Sequence, residues 1–185
     1  MWTKDGEVAL DALPLAPYAA DRRNELHALY RHLDAQVGRL DERVAQEADS
    51  RPRATLLMTH PGVGPVTALA TEVFIGDPSR FADAKALASY VGMIPSEYSS
   101  GSKQRLGALS KHGNAFLRFL WCEATRHAVV RDPALRRFYR RKLQQKGFAK
   151  AKVAAARKLG IRLWIMVRDQ IDYTEFCRRG SVRQS

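Results

Sequence analysis

The sequence predicts an all-α fold, with a long N-terminal coiled-coil helix followed by a compact multi-helix domain. Leu26, Tyr30, Leu33, Val37, Leu40 and Val44 recur at alternating steps of four and three, which is the seam of a heptad helix. Further along, apolar stripes at helical spacing follow the capping residues Asp83 and Asn114. Strand signals are few.

Taken in order, residues 1–17 hold Pro14 and Pro17 with little periodicity and are expected to be an irregular arm. The heptad stripe defines a coiled-coil helix over 18–50, with Ala19 one heptad before Leu26 and polar residues on the other faces. That stripe has two explanations, dimerisation with a second copy or packing on the chain's own domain. Asp49-Ser-Arg-Pro52 ends the pattern, because a residue before proline is pushed out of the α region.

A second domain is expected over 51–173. Ala54–Thr59, the turn His60-Pro-Gly-Val-Gly-Pro65, and a helix with Val66, Leu69, Ala70 and Val73 on one face have the layout of a helix-hairpin-helix at about 54–75. Gly62 and Gly64 let backbone N–H groups approach a phosphate at the helix start, gripping backbone and reading no bases. A plain αα-corner with packing glycines is the alternative. Asp83 caps a helix burying Ala84, Leu87, Ala88 and Val91, which stops at Gly92. Asn114 caps another, with Leu117, Leu120, Trp121, Ala124 and Ala128 buried. Asp132-Pro133 restarts the chain into a basic helix whose Arg140, Arg141 and Lys142 flank aromatic residues, a candidate backbone-contact surface. Residues 149–167 form a further helix anchored by Leu163, Trp164, Met166 and Val167, and 174–185 are expected to be an irregular basic tail.

The charge narrows the function class. A formal +12 and a pI near 10.2 favour a polyanionic partner, since cations on the protein release counterions condensed on phosphates. Residues 1–50 hold 6 Lys/Arg and 10 Asp/Glu, leaving 25 and 9 for 51–185, so the basic surface belongs to the second domain. Cys122 and Cys177 form no metal-ligand spacing and fit a reducing compartment. The absence of an 18-residue apolar run and of a signal-like N-terminus leads to the expectation of a cytoplasmic protein with no membrane association.

Residues 95–114, Pro-Ser-Glu-Tyr-Ser-Ser-Gly-Ser-Lys-Gln-Arg-Leu-Gly-Ala-Leu-Ser-Lys-His-Gly-Asn, interrupt the helical periodicity as a serine-rich, basic loop. Ser99 or Ser100, beside Gly101, could act as a nucleophile on an anion gathered by Lys103, Arg105 and Lys111. The alternative is a solvated basic loop with turn serines.

In order, the motifs Pro61-Gly-Val-Gly-Pro-Val-Thr-Ala68, Gly76-Asp-Pro-x-Arg-Phe81, Leu87-Ala-Ser-Tyr-Val-Gly92, Pro95-x-x-Tyr-Ser-Ser-Gly101, Ser110-Lys-x-Gly-Asn114, Leu117-Arg118 and Ala154-Ala-Ala-Arg-Lys-Leu159 resemble one known domain. It is the C-terminal, serine-bearing transposase domain of the insertion-sequence family numbered one hundred and ten, the RNA-guided bridge recombinases. The resemblance covers about Leu56 to Tyr173, and the 18–50 helix resembles the coiled-coil linker of the same family.

The resemblance implies a DNA recombinase that attacks a phosphodiester with serine and holds the cut strand as a phosphoserine. The family motif places that serine directly before glycine, at Ser100, with Ser99 as the nearest rival. DNA or phosphate contacts are expected from Gly62, Gly64, Lys103, Arg105, Lys111, Arg118, Arg140, Arg141 and Lys142. Mg²⁺ is implied only for an N-terminal RuvC-like domain with DEDD carboxylates. Seventeen residues before the coiled coil cannot build that domain, so no metal or cofactor is assigned to this chain, and it is expected to be inactive alone. The expected partners are DNA, a guide RNA, and a second copy joined through the 26–44 heptad helix. A non-catalytic helix-hairpin-helix DNA-binding module is the alternative function.

Overall fold

The computed structural model describes residues 3–97 and 106–182, and helices account for most of them. Ser99, Ser100, Lys103 and Arg105 lie outside the described residues. Two units are distinct, one ending at Arg43 and one beginning at Val44.

The first unit is a helical hairpin. Helix α1 spans Lys4–Asp11, where an irregular arm was expected, and α2 spans Pro17–Ser50. The Thr3 hydroxyl accepts a hydrogen bond from the Gly6 N–H, and Asp5 and Glu7 in the first turn complement the helix dipole. Arg23 closes the other end of α1 by donating from Nη1 to the carbonyls of Leu10, at 3.1 Å, and Asp11, at 3.0 Å. His27 is buried between Glu7 and Asp11. Little in residues 3–11 is apolar and periodic, which is why the sequence alone did not show this helix. On α2, Leu26, Leu33, Val37 and Leu40 stand 50–56% exposed in the single chain, while Tyr30 and Val44 are half-buried.

In the second unit, Pro52 and Pro65 occupy the first positions of α3 (Pro52–Met58) and α4 (Pro65–Ile75), where a missing N–H costs nothing. A short 3₁₀ turn (Pro78–Arg80) leads to α5 (Ala84–Tyr90), which Asp83 caps at Ala86. Two short strands follow, β1 (Pro95–Glu97) and β2 (Leu106–Leu109), and then α6 (Ala115–Arg131), α7 (Pro133–Lys146), α8 (Phe148–Asp169) and α9 (Tyr173–Val182). The small two-stranded sheet leaves the all-α class intact. Among the described residues, no helix is long and apolar enough to cross a membrane.

The core is built around α8, which buries Ala151, Ala155, Ala156, Leu159, Gly160, Leu163, Trp164, Met166 and Val167. These include all four predicted anchors. The stripe predicted on α6 is likewise buried, and Trp121 lies across Gly160. A methyl group at Gly160 would sit 2.0 Å from Cζ3 of that indole, so only glycine lets the two helices meet there. Both core tryptophans satisfy their N–H groups: Trp121 donates to Thr71 Oγ1 and Trp164 to the Pro78 carbonyl, each at 3.0 Å.

The Trp121 bond also corrects the face assigned to α4. Its buried residues are Thr67, Ala68, Thr71 and Ile75, whereas Val66 and Val73 are exposed. Burying the Thr71 side is what gives the indole its acceptor. Apolar residues occur all round this helix, so periodicity could not select the face.

A buried polar knot joins the α6–α7 corner to α8 and to the turn after α3. Asp132 Oδ1 accepts from the Leu135 N–H at 2.8 Å, capping α7, while Oδ2 pairs with Arg162. His60, fully buried, sits 3.6 Å from the same carboxylate, too far for a hydrogen bond. Burial lowers its pKa to about 4; Asp132 opposes that shift and Arg162 adds to it. The ring is therefore neutral at pH 7. Its Nδ1 lies 3.1 Å from the Pro61 carbonyl, which can only accept, so Nδ1 carries the proton.

The last segment corrects the expected irregular tail. Asp172 Oδ1 accepts from the Glu175 N–H at 2.8 Å, and Glu175 pairs with Arg178 and Arg179. A cap and charge pairs at helical spacing are enough to form α9 beyond Tyr173.

Candidate nucleic-acid interface

The described residues on either side of the serine segment form a pinned hairpin. Where a loop was expected from residue 95, β1 and β2 pair antiparallel, with Pro95 opposite Leu109 and Glu97 opposite Leu106 and an irregularity between them. The Ser96 hydroxyl donates to the Ala108 carbonyl at 2.9 Å, and the Ser110 N–H donates to the Ile94 carbonyl at 2.8 Å. Neither strand shows an apolar alternation long enough to announce itself. The pairing follows from how the hairpin's two limbs are tied below it.

That tie depends on two glycines and one arginine. Gly92 (φ 72°) and Gly113 (φ 114°) both take left-handed backbone, and a Cβ on either would meet the opposite limb, at 2.2 Å from the His112 oxygen and 2.1 Å from the Tyr90 oxygen. The limbs cross at backbone distance, with the Asn114 N–H donating to the Tyr90 carbonyl at 3.1 Å. Arg118 Nη1 donates to the carbonyls of Val91, at 2.8 Å, and Lys111, at 3.4 Å. Arg118 thus has a positioning task in the hairpin. Asn114 caps α6 at Leu117, as predicted, and so fixes where that arginine starts.

A second layer supports this base. Asp77 Oδ1 accepts from the Ser79 N–H at 2.9 Å to form the 3₁₀ turn, and the two hydrogen bonds from Ser79 hold its carboxyl below the usual range. The turn delivers Arg80 onto the rings of Phe81 and Tyr90, at 4.8 and 4.7 Å. Tyr90 in turn donates from its hydroxyl to the Phe74 carbonyl at 3.1 Å.

The other expected contact residues fall in separate places. Gly62 (φ 93°) presses on α6, where a Cβ would lie 2.5 Å from the Ala128 nitrogen, so it serves helix packing. Gly64 precedes α4 with open space where a side chain would be. Lys111 is exposed on the returning limb. Arg140 and Arg141 are exposed on α7, with Lys142 half-buried beside them. Arg141, Lys142 and Lys158 surround the Phe138 ring at 5.9, 5.8 and 4.5 Å, and burial lowers the Lys158 pKa.

Helices α7 and α8 extend the positive surface well beyond those three residues. From Pro133 to Arg168 there are twelve Lys/Arg and no Asp/Glu. Their elbow at Gly147 faces the hairpin across a groove of about 730 Å³, bounded by Pro95, Ala108 and Leu109 on one side and Lys146, Lys150 and Arg157 on the other. Sequence reading stopped at the Arg140–Lys142 cluster, because nothing linear joins residues 146–157 to residue 95. Among the described residues, no three His, Cys, Asp or Glu side chains converge as metal ligands.

Comparison with known proteins finds this chain similar to transposases over part of its length. Residues 54–140, from α3 through most of α7, match the family model described as Transposase IS116/IS110/IS902 family. A probable family 20 transposase of Pseudomonas aeruginosa is 29% identical over 171 residues, covering 90% of this chain and 50% of that protein. The transposase for insertion sequence element IS1111A of Coxiella burnetii is 27% identical over 170 residues, covering 90% and 47%. A pilin gene-inverting protein of Moraxella lacunata is 36% identical over 132 residues, covering 68% and 41%. The chain thus spans about half the length of these curated relatives.

Proposed function

We propose that this chain is the DNA-gripping, serine-bearing part of an insertion-sequence transposase that works by phosphoserine strand exchange. The observation that carries the proposal is the pinned hairpin, which lies inside the family-matched segment and next to two helices that hold twelve Lys/Arg and no Asp/Glu between Pro133 and Arg168. Such a base fixes the backbone at Glu97 and Leu106, the two ends between which a nucleophile would be presented.

In this reading Ser100 is the nucleophile and Ser99 its nearest rival. The Oγ–phosphorus bond forms as the bond from phosphorus to one deoxyribose oxygen breaks; the hydroxyl gives up its proton to a base and the departing oxygen takes one up. Cations at Lys103, Arg105 and Lys111 steady the charge that builds on the phosphoryl oxygens. Gly64, Arg140, Arg141 and Lys142 hold flanking backbone, and Arg118 fixes the hairpin. Mg²⁺ would be held by the carboxylates of a DEDD domain outside these residues. A guide RNA, cytoplasmic location and pairing of two copies through the α2 stripe complete the proposal.

In the longer protein, Ser100→Ala is expected to abolish strand cleavage while changing DNA affinity less than twofold. Normal cleavage by Ser100→Ala with loss in Ser99→Ala would move the nucleophile by one residue. Normal cleavage by both variants would leave the alternative reading, a helix-hairpin-helix binding module without catalysis.

A further inference from the structure

We propose that the groove between the β1–β2 hairpin and the α7–α8 elbow is a track for a single DNA strand, held by Arg157, Lys146 and Lys150. The proposal rests on the transposase reading above and adds to it a binding site of its own.

Arg157 is the residue that points to a ligand. It is half-buried on α8, yet among the described residues it has no carboxylate and no hydrogen-bond acceptor. Placing a guanidinium in a partly dry site without a counter-charge is unfavourable, and an anion entering the groove removes that cost. The other cations nearby that are paired, such as Lys152 with Glu123 at 2.8 Å, lie outside the groove lining. Lys146, the last residue of α7, and Lys150, in the first turn of α8, are exposed at the groove's edge on either side of Gly147, so three positive charges line one wall.

The opposite wall suits the rest of a nucleotide. Pro95, Ala108 and Leu109 offer a smooth apolar surface to sugar and base, with no charge to oppose a phosphate. A single strand can turn unpaired bases to such a wall, whereas a duplex keeps its bases stacked inside it. The same wall is continuous in the chain with residues 98–105, because β1 ends at Glu97 and β2 begins at Leu106.

The test is fluorescence anisotropy of the whole chain with a labelled single-stranded DNA across a salt series. Each phosphate contact contributes about 0.7 to the log–log salt slope for single strands. The variant Lys146→Gln/Lys150→Gln/Arg157→Gln is expected to reduce the slope by about 2 and the affinity at least tenfold. Arg126→Gln/Arg168→Gln/Arg178→Gln removes the same charge from residues paired with carboxylates and is expected to keep the slope within 0.5 of the parent. Circular dichroism melts check the fold, and the exposed double variant Lys146→Gln/Lys150→Gln keeps the test valid if Arg157 proves necessary for folding.

Parent binding with equal losses in the two triple variants would overturn the track and leave the transposase reading standing. No binding by the parent at about 50 mM salt would overturn both. A groove variant that loses a single-stranded RNA of the same sequence but keeps the DNA would assign the track to RNA and overturn it for DNA.

Discussion

At Gly160 two residue-level rules oppose each other, and the distances decide between them. Alanine is the better helix former by about 1 kcal/mol, which alone would make Gly160→Ala stabilising. The added methyl would stand 2.0 and 2.1 Å from two ring carbons of Trp121, whose Nε1 is tied to Thr71, and overpacking of that kind costs about 1–3 kcal/mol or more. Thermal denaturation is expected to show Gly160→Ala melting roughly 5 °C lower. Adding Trp121→Phe, which withdraws part of the ring, should recover some of the loss and give a non-zero coupling.

His60 gives the second residue-scale prediction, and its sign follows from a pKa of about 4 in the fold against the usual 6.5. Above pH 6.5 the ring is neutral in both the folded and the unfolded chain and contributes no slope. Between the two values the unfolded chain takes up a proton that the fold refuses, so stability falls as pH falls, by up to about 3 kcal/mol. Urea denaturation at pH 7 and pH 4.5 should show a larger loss for the parent than for His60→Gln. An equal loss would mean that the ring accepts its proton in the fold, toward Asp132.

At the scale of elements, the sequence was most legible where a cap preceded an apolar stripe. Asp83, Asn114 and Asp132 each start the helix expected of them, and the stripes on α6 and α8 are buried as read. Helices α1 and α9 were missed because caps and charge pairs hold them, and neither device has apolar periodicity. The hairpin was missed for a different reason: Gly92, read as a helix stop, and Gly113 acquire meaning only when two limbs fifteen or more residues apart cross. Arg118 shows the same limit, since its carbonyl partners Val91 and Lys111 lie 27 and 7 residues away in sequence. Of the two turn glycines, Gly62 is claimed by α6, while Gly64 keeps the open space a phosphate would need.

At the scale of the whole molecule, the first fifty residues are acidic and the remainder is basic. The apolar stripe on α2 is too exposed to be explained by α1, and each such side chain buried contributes about 1.5–3 kcal/mol. Pairing with a second copy is the occupant proposed for it. Light scattering is expected to give about twice the 20.8 kDa chain mass, and Leu33→Glu/Leu40→Glu should return the monomer. A monomer for the parent at high concentration would remove the pairing.

The basic helices, the crossed limbs and the family-matched segment meet in one claim, that a serine between β1 and β2 becomes bonded to DNA phosphorus. Its most direct measurement is mass spectrometry of the nuclease-trimmed, denatured adduct formed by the longer protein on a labelled DNA substrate. The account predicts a nucleotide remnant on Ser100. A remnant on a residue outside 98–105, or cleavage with no protein-linked nucleotide at all, would contradict it.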